Sequence, residues 1–170
     1  MLVVTQCGWM TSAYGIFDAE GRQLAAVQQG RQGMIRRRLE IADQQGRTLM
    51  RLVRPIDVFA WHLAVTSPEG ASVGRFTAHI ALGLRLIIVS KGHRLGELRA
   101  EGRTRTRFTI TDGHPEPVAR LEREREGMTS FRYTLHLHRS VPDPLRTLLV
   151  AAPFAVDLRF KELTRRAVAS

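Results

Sequence analysis

Five segments of the chain share one pattern: an apolar strand-like run, an acidic or polar residue, a glycine and a second apolar run. The glycines of the five turns are Gly21, Gly46, Gly70, Gly92 and Gly113. Alternating apolar residues on both sides of such a turn are typical of a β-hairpin. Because the pattern returns at intervals of roughly 20–25 residues, it predicts an internal repeat of hairpins and an all-β fold.

Alternation along the predicted strands assigns each of them an inner and an outer face. Tyr133, Leu135 and Leu137 are predicted to point inward, and Thr134, His136 and His138 outward. Two further strand patterns, Leu2–Thr5 and Arg132–His138, raise the number of strands from ten to twelve. Half-solvated antiparallel strands of this kind favour a closed sheet. We therefore expect a twelve-stranded antiparallel closed barrel of hairpin repeats.

A barrel of twelve strands is too wide for its own side chains to fill, so an apolar element is expected on its axis. The segment 144–157 is apolar almost all round, which is typical of a buried helix. Asp143 is a suitable N-cap and Pro144 suits the first helical position, whereas Pro153 is expected to kink the helix or end it early. We predict a single domain over residues 1–158 and a polar tail over 159–170 outside the barrel.

The charge of the chain favours an anionic partner, since its net charge is +10 and its isoelectric point about 11.3. Of the 26 basic residues all but Lys91 and Lys161 are arginine. Such an excess also arises from a GC-rich coding sequence, so the charge alone leaves the function open. Cys7 is the single cysteine, which excludes an internal disulfide framework and fits a cytoplasmic protein. No apolar run reaches the ~18–20 residues of a membrane-spanning helix.

No motif for an enzyme active site, a metal centre or a cofactor was found. The chain lacks a nucleophile elbow, a zincin helix, a P-loop and a dinucleotide fingerprint. His136 and His138 share a strand face, but no nearby residue completes a metal site. Glu122–Glu126 alternates in charge and is interpreted as a solvated edge strand, and Trp9 and Trp61 as barrel packing. We predict no catalytic residue, no metal and no cofactor.

Arginines supply the candidate binding residues, because a guanidinium group matches phosphate oxygens bidentately. One predicted set is a compact cluster entering a strand together with two residues of its hairpin partner: Arg36, Arg37, Arg38, Arg51 and Arg54. The other is a regular stripe on the outer face of the strand that carries Phe108 and Ile110: Arg103, Arg105 and Arg107. A merely solvated surface is the alternative interpretation of both sets.

The order of these motifs resembles the tubby C-terminal-like superfamily, and within it the phospholipid scramblase and LURP-one-related families. The residues that carry the resemblance are Tyr14–Asp18 with Gly21, Arg54-Pro55, Ser67–Gly70 with Val73-Gly74, and Leu148–Ala152 with Val156-Asp157. The resemblance covers nearly the whole chain. It implies a twelve-stranded barrel around a hydrophobic C-terminal helix, the same architecture that strand counting suggests.

The resemblance also implies candidate functions. Tubby-like domains bind phosphoinositides, and scramblases are linked to lipid transfer and carry an acidic calcium motif before the terminal helix. Here the corresponding stretch, 138–143, has Asp143 as its single carboxylate. Because calcium needs six to eight oxygen ligands, calcium binding is not expected. The barrel-only LURP-one-related proteins are the closer match.

We therefore expect a non-enzymatic barrel domain that binds anionic phospholipid or phosphoinositide peripherally, through exposed arginines and without spanning the membrane. A nucleic-acid-binding module is one alternative, although aromatic residues make up only 6% of the chain and stacking platforms are few. A protein-interaction scaffold without a ligand is another. A small-molecule enzyme that uses the barrel end is the least favoured.

Overall fold

The computed structural model describes residues 1–7, 13–29, 37–55, 61–78, 84–102, 104–126 and 130–169, without the side chains of residues 7, 13, 28, 29, 37 and 165–169. These ranges form twelve strands and one helix. The strands are β1 Leu2–Cys7, β2 Ala13–Phe17, β3 Gln23–Gln29, β4 Arg37–Asp43, β5 Thr48–Arg54, β6 His62–Thr66, β7 Ser72–Ala78, β8 Arg85–Ser90, β9 His93–Glu101, β10 Arg107–Thr111, β11 Ala119–Glu126 and β12 Ser130–Leu137; the helix is α1 Leu145–Ala169.

The strands form a closed barrel in which each strand pairs antiparallel with its neighbours in sequence, and β1 pairs with β12 to close it. The five predicted hairpins are β2–β3, β4–β5, β6–β7, β8–β9 and β10–β11, so the predicted fold class is confirmed. All five hairpin turns lie at one end of the barrel, which we call the turn end. The strand ends through which successive hairpins follow one another lie at the opposite end, which we call the loop end.

Local chemistry explains why the chain reverses at these turns. The carboxylate of Asp18 accepts hydrogen bonds from the backbone N–H groups of Glu20 (3.0 Å) and Arg22 (2.8 Å) and from Arg22 Nε (2.7 Å). Gly21 adopts φ +78°, a conformation that favours glycine. The turn that begins at Asp43 repeats this arrangement. Because the same short motif closes both turns, these two hairpins are encoded locally.

The helix begins at the turn end and fills the barrel axis. Asp143 accepts a hydrogen bond from Thr147 Oγ1 (2.8 Å) just before the first helical turn. Leu148 is fully buried and packs against Gly74 of β7, where an added Cβ would lie 2.8 Å from Leu148 Cδ1. The same Cβ would lie 2.6 Å from the carbonyl oxygen of Val89. A side chain at position 74 would therefore displace the helix or the neighbouring strand.

The predicted end of the helix is wrong. The helix continues past 157 to Ala169, includes Pro153, and keeps Arg159 buried at 6% exposure. A proline removes one helical hydrogen bond, but the barrel wall surrounds this part of the helix and holds it on both sides of the proline. The segment 159–169 is thus a continuation of the central helix and not a separate tail.

Two predictions about strand faces are also wrong. Leu137 is 48% exposed, because β12 reaches beyond the core at the turn end. Glu122–Glu126 is not on a free edge strand, since β11 pairs with both β10 and β12, although the register with β10 ends at Glu122 and residues 123–126 are in register with β12 alone. Arg123 lies on the same face as buried Leu121 and points into the barrel, where its guanidinium group is 3.5 Å from the ring centre of Phe131.

Trp61, predicted to pack in the barrel, is buried, and Trp9 lies outside the described residues.

In the described part of the chain, no helix has the length and apolar character needed to cross a membrane.

Candidate functional site

Charge is distributed unevenly over the outside of the barrel. Among the described residues, the outward positions of β4–β9 carry six arginines and three glutamates, a net charge of +3: Arg38, Arg51, Arg75, Arg85, Arg94, Arg99, Glu40, Glu97 and Glu101. The outward positions of β10–β12 carry three of each: Arg107, Arg120, Arg132, Glu122, Glu124 and Glu126. Strands β1–β3 contain no charged residue. The basic charge of the barrel wall is therefore concentrated on β4–β9.

Three of these arginines converge on one carboxylate, an arrangement that we call the Glu97 cluster (Arg85, Arg94, Arg99 and Glu97). Arg85 contacts both carboxylate oxygens: Nη2 donates a hydrogen bond to Oε2 (2.7 Å), and Nε lies within ion-pair distance of Oε1, at 2.6 Å. Arg94 contacts Oε2, and Arg99 places Nε and Nη2 3.1 Å from Oε1. The cluster combines three positive charges with one negative charge.

Burial and charge act in opposite directions on Glu97, whose side chain is 7% exposed. Desolvation raises the pKa of Glu97, but the hydrogen bonds and charges of Arg85 and Arg99 outweigh it, so the pKa lies below its ordinary value. Glu97 is therefore ionised at neutral pH. The Arg94 and Arg99 side chains remain 56% and 66% exposed, so an anion in solution can reach them.

The register of β7–β9 extends the Glu97 cluster across three strands of the barrel wall. Glu97 lies opposite Ile87 and Arg94 lies opposite Val89. On the other side of β8, Arg75 lies opposite Val89 and is exposed. Two half-buried aliphatic side chains thus separate Arg75 from the Glu97 cluster. We call this set, Arg75, Arg85, Arg94 and Arg99 with Ile87 and Val89, the arginine surface.

The first predicted arginine set is largely engaged with carboxylates of the protein. Arg38 and Arg51 both contact Glu40, at 2.8 and 3.3 Å. Arg54 forms an ion pair with Glu162 of the helix. Arg36 lies outside the described residues, and Arg37 is placed only by its backbone, in β4. These contacts tie β4, β5 and the helix together and leave less of this set for a ligand.

The second predicted set does not form a regular stripe. Strand β10 begins only at Arg107, and Arg105 precedes it with φ +53°. The strand alternation that the stripe requires is therefore absent. Arg105 and Arg107 are exposed, as predicted, but Arg107 lies opposite Glu101 and Glu122 in the two neighbouring strands. Arg103 lies outside the described residues.

Sequence reasoning missed Arg75, Arg85, Arg94 and Arg99. The sequence does contain one part of the signal, the pair Lys91-Gly92 between two strands. In the structure this pair adopts φ +48° and +82° and forms a two-residue hairpin turn that brings β8 and β9 together. However, the register shifts between Ile88 and Val89. This bulge decides which side chains share the outer face, and the sequence does not mark it.

A polar network lies inside the barrel, near the loop end. Asp157, 1% exposed, accepts hydrogen bonds from the phenols of Tyr14 (2.6 Å) and Tyr133 (2.9 Å) and forms an ion pair with Lys161 (2.7 Å). Arg123 Nε lies 3.2 Å from the Tyr133 oxygen. Desolvation and the charge of Asp157 raise the pKa of Tyr133 above its ordinary value. The network joins the helix to β2, β11 and β12.

Among the described residues, no group of three or more His, Cys, Asp or Glu side chains could hold a metal ion. His136 and His138, the pair considered for a metal, lie at and beyond the end of β12. His136 sits on the outer face, opposite Arg120 of β11.

The fold and the surface define a helix-filled, twelve-stranded β-barrel with one basic wall. No family model, curated protein or solved structure matches the chain. The barrel around a C-terminal helix that the tubby-like resemblance implies is present, and membership of that superfamily stays a prediction.

The lowered carboxyl pKa values predict a loss of stability in acid. Desolvation raises the pKa of Asp18, but hydrogen bonds from Arg22 outweigh it and the pKa falls below 3.8; that of Glu97 falls below 4.5. These carboxylates therefore stabilise the folded protein fully at pH values above their ordinary, unfolded-state pKa. The stabilisation is lost as the pH falls through their lower pKa in the folded state.

We expect the melting temperature to be flat near neutral pH and to fall below about pH 4. Thermal unfolding followed by circular dichroism measures this. Asp43→Asn, which removes one carboxylate whose pKa is lowered in the same way, should make the decline shallower. A melting temperature that does not change from neutral pH down to about pH 3 would contradict the prediction.

Proposed function

We propose that this protein is a non-enzymatic, cytoplasmic barrel domain that binds anionic phospholipid or phosphoinositide peripherally through its arginine surface. The observation that carries the proposal is the Glu97 cluster, in which Arg85, Arg94 and Arg99 share one carboxylate. A neutral surface would provide a carboxylate for each arginine, as Asp18 and Asp43 do for Arg22 and Arg47 in the turns. The excess positive charge is exposed on the outer wall of the barrel, where a bilayer can approach it.

The energetics favour a membrane surface as the partner. Each arginine close to an acidic leaflet contributes about 1 kcal/mol to the free energy of membrane binding, and this attraction decays within a Debye length of ~8–10 Å. Arg75 is exposed on β7 and Arg94 and Arg99 on β9, with β8 between them. At ~4.8 Å between adjacent strands, β7 and β9 are about one Debye length apart. The three arginines can therefore act on the same patch of membrane. Ile87 and Val89 between them can rest against the headgroup region without burying a charge.

A nucleic-acid partner is less well supported. Single-stranded nucleic acid is bound by stacking bases on aromatic side chains beside basic residues. In the described strands β7–β9, the only aromatic residue other than histidine is Phe76, which is fully buried. The arginine surface therefore offers phosphate contacts but no stacking platform. The resemblance to tubby-like domains points to lipid in the same way.

We expect wild-type protein to co-sediment with phosphatidylserine vesicles at low salt and to be released by several hundred millimolar salt. Arg94→Ser/Arg99→Ser should weaken this binding about thirtyfold, since two arginines at about 1 kcal/mol each are lost. The matched control is Arg105→Ser/Arg107→Ser, which removes the same charge from the predicted stripe. This control should bind nearly as well as the wild type.

The outcomes separate the possibilities. An equal loss of vesicle binding in both double variants would indicate that net charge attracts the protein to the membrane without a defined contact surface. A larger loss in the Arg105/Arg107 variant would place the contact on the stripe. Absence of wild-type binding at low salt would reject lipid as the partner. Retention on single-stranded DNA or RNA in that case would support the nucleic-acid module, and no retention the protein-interaction scaffold.

A further inference from the structure

We propose that Glu97 is a positioning residue that holds Arg94 and Arg99 in the arrangement that binds a phosphate monoester group. The inference rests on the proposed function in one respect, namely that the arginine surface contacts the anionic ligand. The inference goes beyond the proposed function because it names the headgroup class and gives a buried acidic residue a role in binding an anion.

The three arginines of the Glu97 cluster do not have equal roles. Arg85 uses Nε and Nη2 on both carboxylate oxygens, and its side chain is the least exposed of the three, at 38%. Arg94 reaches a single oxygen through Nη2, and Arg99 reaches the other. Because a guanidinium group has five N–H donors, Arg94 and Arg99 keep donors that Glu97 does not use, and both side chains are more than half exposed. Arg85 anchors the carboxylate, and the other two present their free edges to solvent.

Without Glu97 this arrangement would not persist. Three guanidinium cations on flexible side chains repel one another, and each gains rotamer freedom by moving apart. A carboxylate at their centre removes the repulsion and fixes the three groups before a ligand arrives. Binding is stronger when the groups need not be ordered at the moment of association. The negative charge of Glu97 thus improves binding of a negative ligand.

The charge and the geometry select the ligand class. The Glu97 cluster has a net charge of +2, and a phosphate monoester carries about −1.5 to −2 at pH 7 with three acceptor oxygens. The phosphodiester of phosphatidylserine or phosphatidylcholine has one negative charge and fewer free oxygens. We therefore expect the cluster to prefer a monoester such as the headgroup of phosphatidic acid over a diester.

The test uses two substitutions that change the net charge equally. Glu97→Gln and Glu101→Gln each remove one negative charge from the outer face of β9. Glu101, however, accepts a hydrogen bond from Thr109 and lies opposite Arg107 of β10, whereas the three arginines of the cluster pair with Glu97. The probe is glycerol 3-phosphate, followed by NMR titration. Glu97→Gln should bind it about tenfold more weakly than wild type, as expected when one charge-assisted hydrogen bond is lost. Glu101→Gln should bind it as well as wild type or slightly better.

Attraction by net charge makes the opposite prediction, because both variants are more basic than wild type. Glycerol 3-phosphate affinity of Glu97→Gln equal to or above that of wild type would overturn the inference. Thermal unfolding establishes that Glu97→Gln is folded. Arg99→Lys provides a second variant, because it keeps the charge and removes the guanidinium fork. It should also lose monoester affinity, and unchanged affinity would count against the inference.

Vesicles separate this inference from the proposed function. Wild type should bind phosphatidic acid vesicles more tightly than phosphatidylserine vesicles of equal charge density, and Glu97→Gln should lose this preference. Loss of the preference supports the inference, whereas its retention in Glu97→Gln overturns the inference and leaves lipid binding standing. Binding of wild type to glycerol 3-phosphate but to no vesicle would reject the membrane function and keep the phosphate site.

Discussion

Leu149→Arg is expected to prevent the protein from folding. Leu149 is 1% exposed on the helix that fills the barrel, and the closed wall gives an arginine side chain no route to water. An unpaired buried charge costs several kcal/mol, and the loss of leucine packing adds about 2–5 kcal/mol. The total is comparable to the whole stability of a typical domain, about 5–15 kcal/mol. Soluble yield and far-UV circular dichroism measure the outcome.

The matched control places the same charge on the same helix where it is solvated. Thr164 is exposed near the loop end, so Thr164→Arg should fold and unfold like the wild type. A soluble Leu149→Arg protein with a wild-type melting temperature would mean that the helix does not occupy the barrel axis. Loss of folding in both variants would mean that added charge, and not its burial, is harmful.

The barrel was predictable because its signals are local. Each hairpin is specified by alternating apolar residues and by a short turn that contains a glycine. In the turns at Asp18 and Asp43 the side-chain acceptor also lies close to that glycine in sequence. The need for an axial helix followed from the number of strands alone. No long-range information was needed for either step. The same logic placed Phe108 and Tyr133 in the core, where both are buried.

The end of the helix was not predictable in this way, because polar residues were interpreted as a sign of solvent. Asp157, Arg159 and Lys161 are polar but have partners that lie far away in sequence, including Tyr14 at a separation of 147 residues from Lys161. Arg159 lies 5.8 Å from the ring centre of Trp61. A composition-based boundary cannot detect such contacts. The central helix therefore extends about three turns beyond its predicted end.

The candidate site was predictable in its chemistry but not in its position. An excess of arginine correctly indicated a basic surface, since the outer faces of β4–β9 carry it. Which arginines converge depends on the bulge in the β8–β9 hairpin and on the start of β10 at Arg107. Both are set by tertiary packing. The inward direction of Arg123, in contrast, could have been predicted, because it lies two residues after apolar Leu121 on the same strand.

Asp157→Ala is expected to lower the free energy of unfolding by about 3–5 kcal/mol, because the substitution leaves the ammonium of Lys161 and two phenols without their acceptor. Chemical denaturation measures the change. Tyr14→Phe is the matched control, since it removes the hydrogen bond that Tyr14 donates to the same carboxylate and the one that it accepts from Lys161, but keeps the charge pair. It should cost about 1–2 kcal/mol.

The difference in the free energy of unfolding between these two variants tests whether the polar network positions the helix in the barrel. An apolar helix inside an apolar wall can shift or rotate at little cost, whereas a carboxylate bound by Tyr14 and Tyr133 from different strands fixes both its depth and its rotation. If Asp157→Ala were no less stable than Tyr14→Phe, the charge of Asp157 would contribute nothing, and packing together with the Arg54–Glu162 ion pair would position the helix. If Asp157→Ala stays folded with less disperse NMR signals, the network specifies one helix position as well as stabilising it.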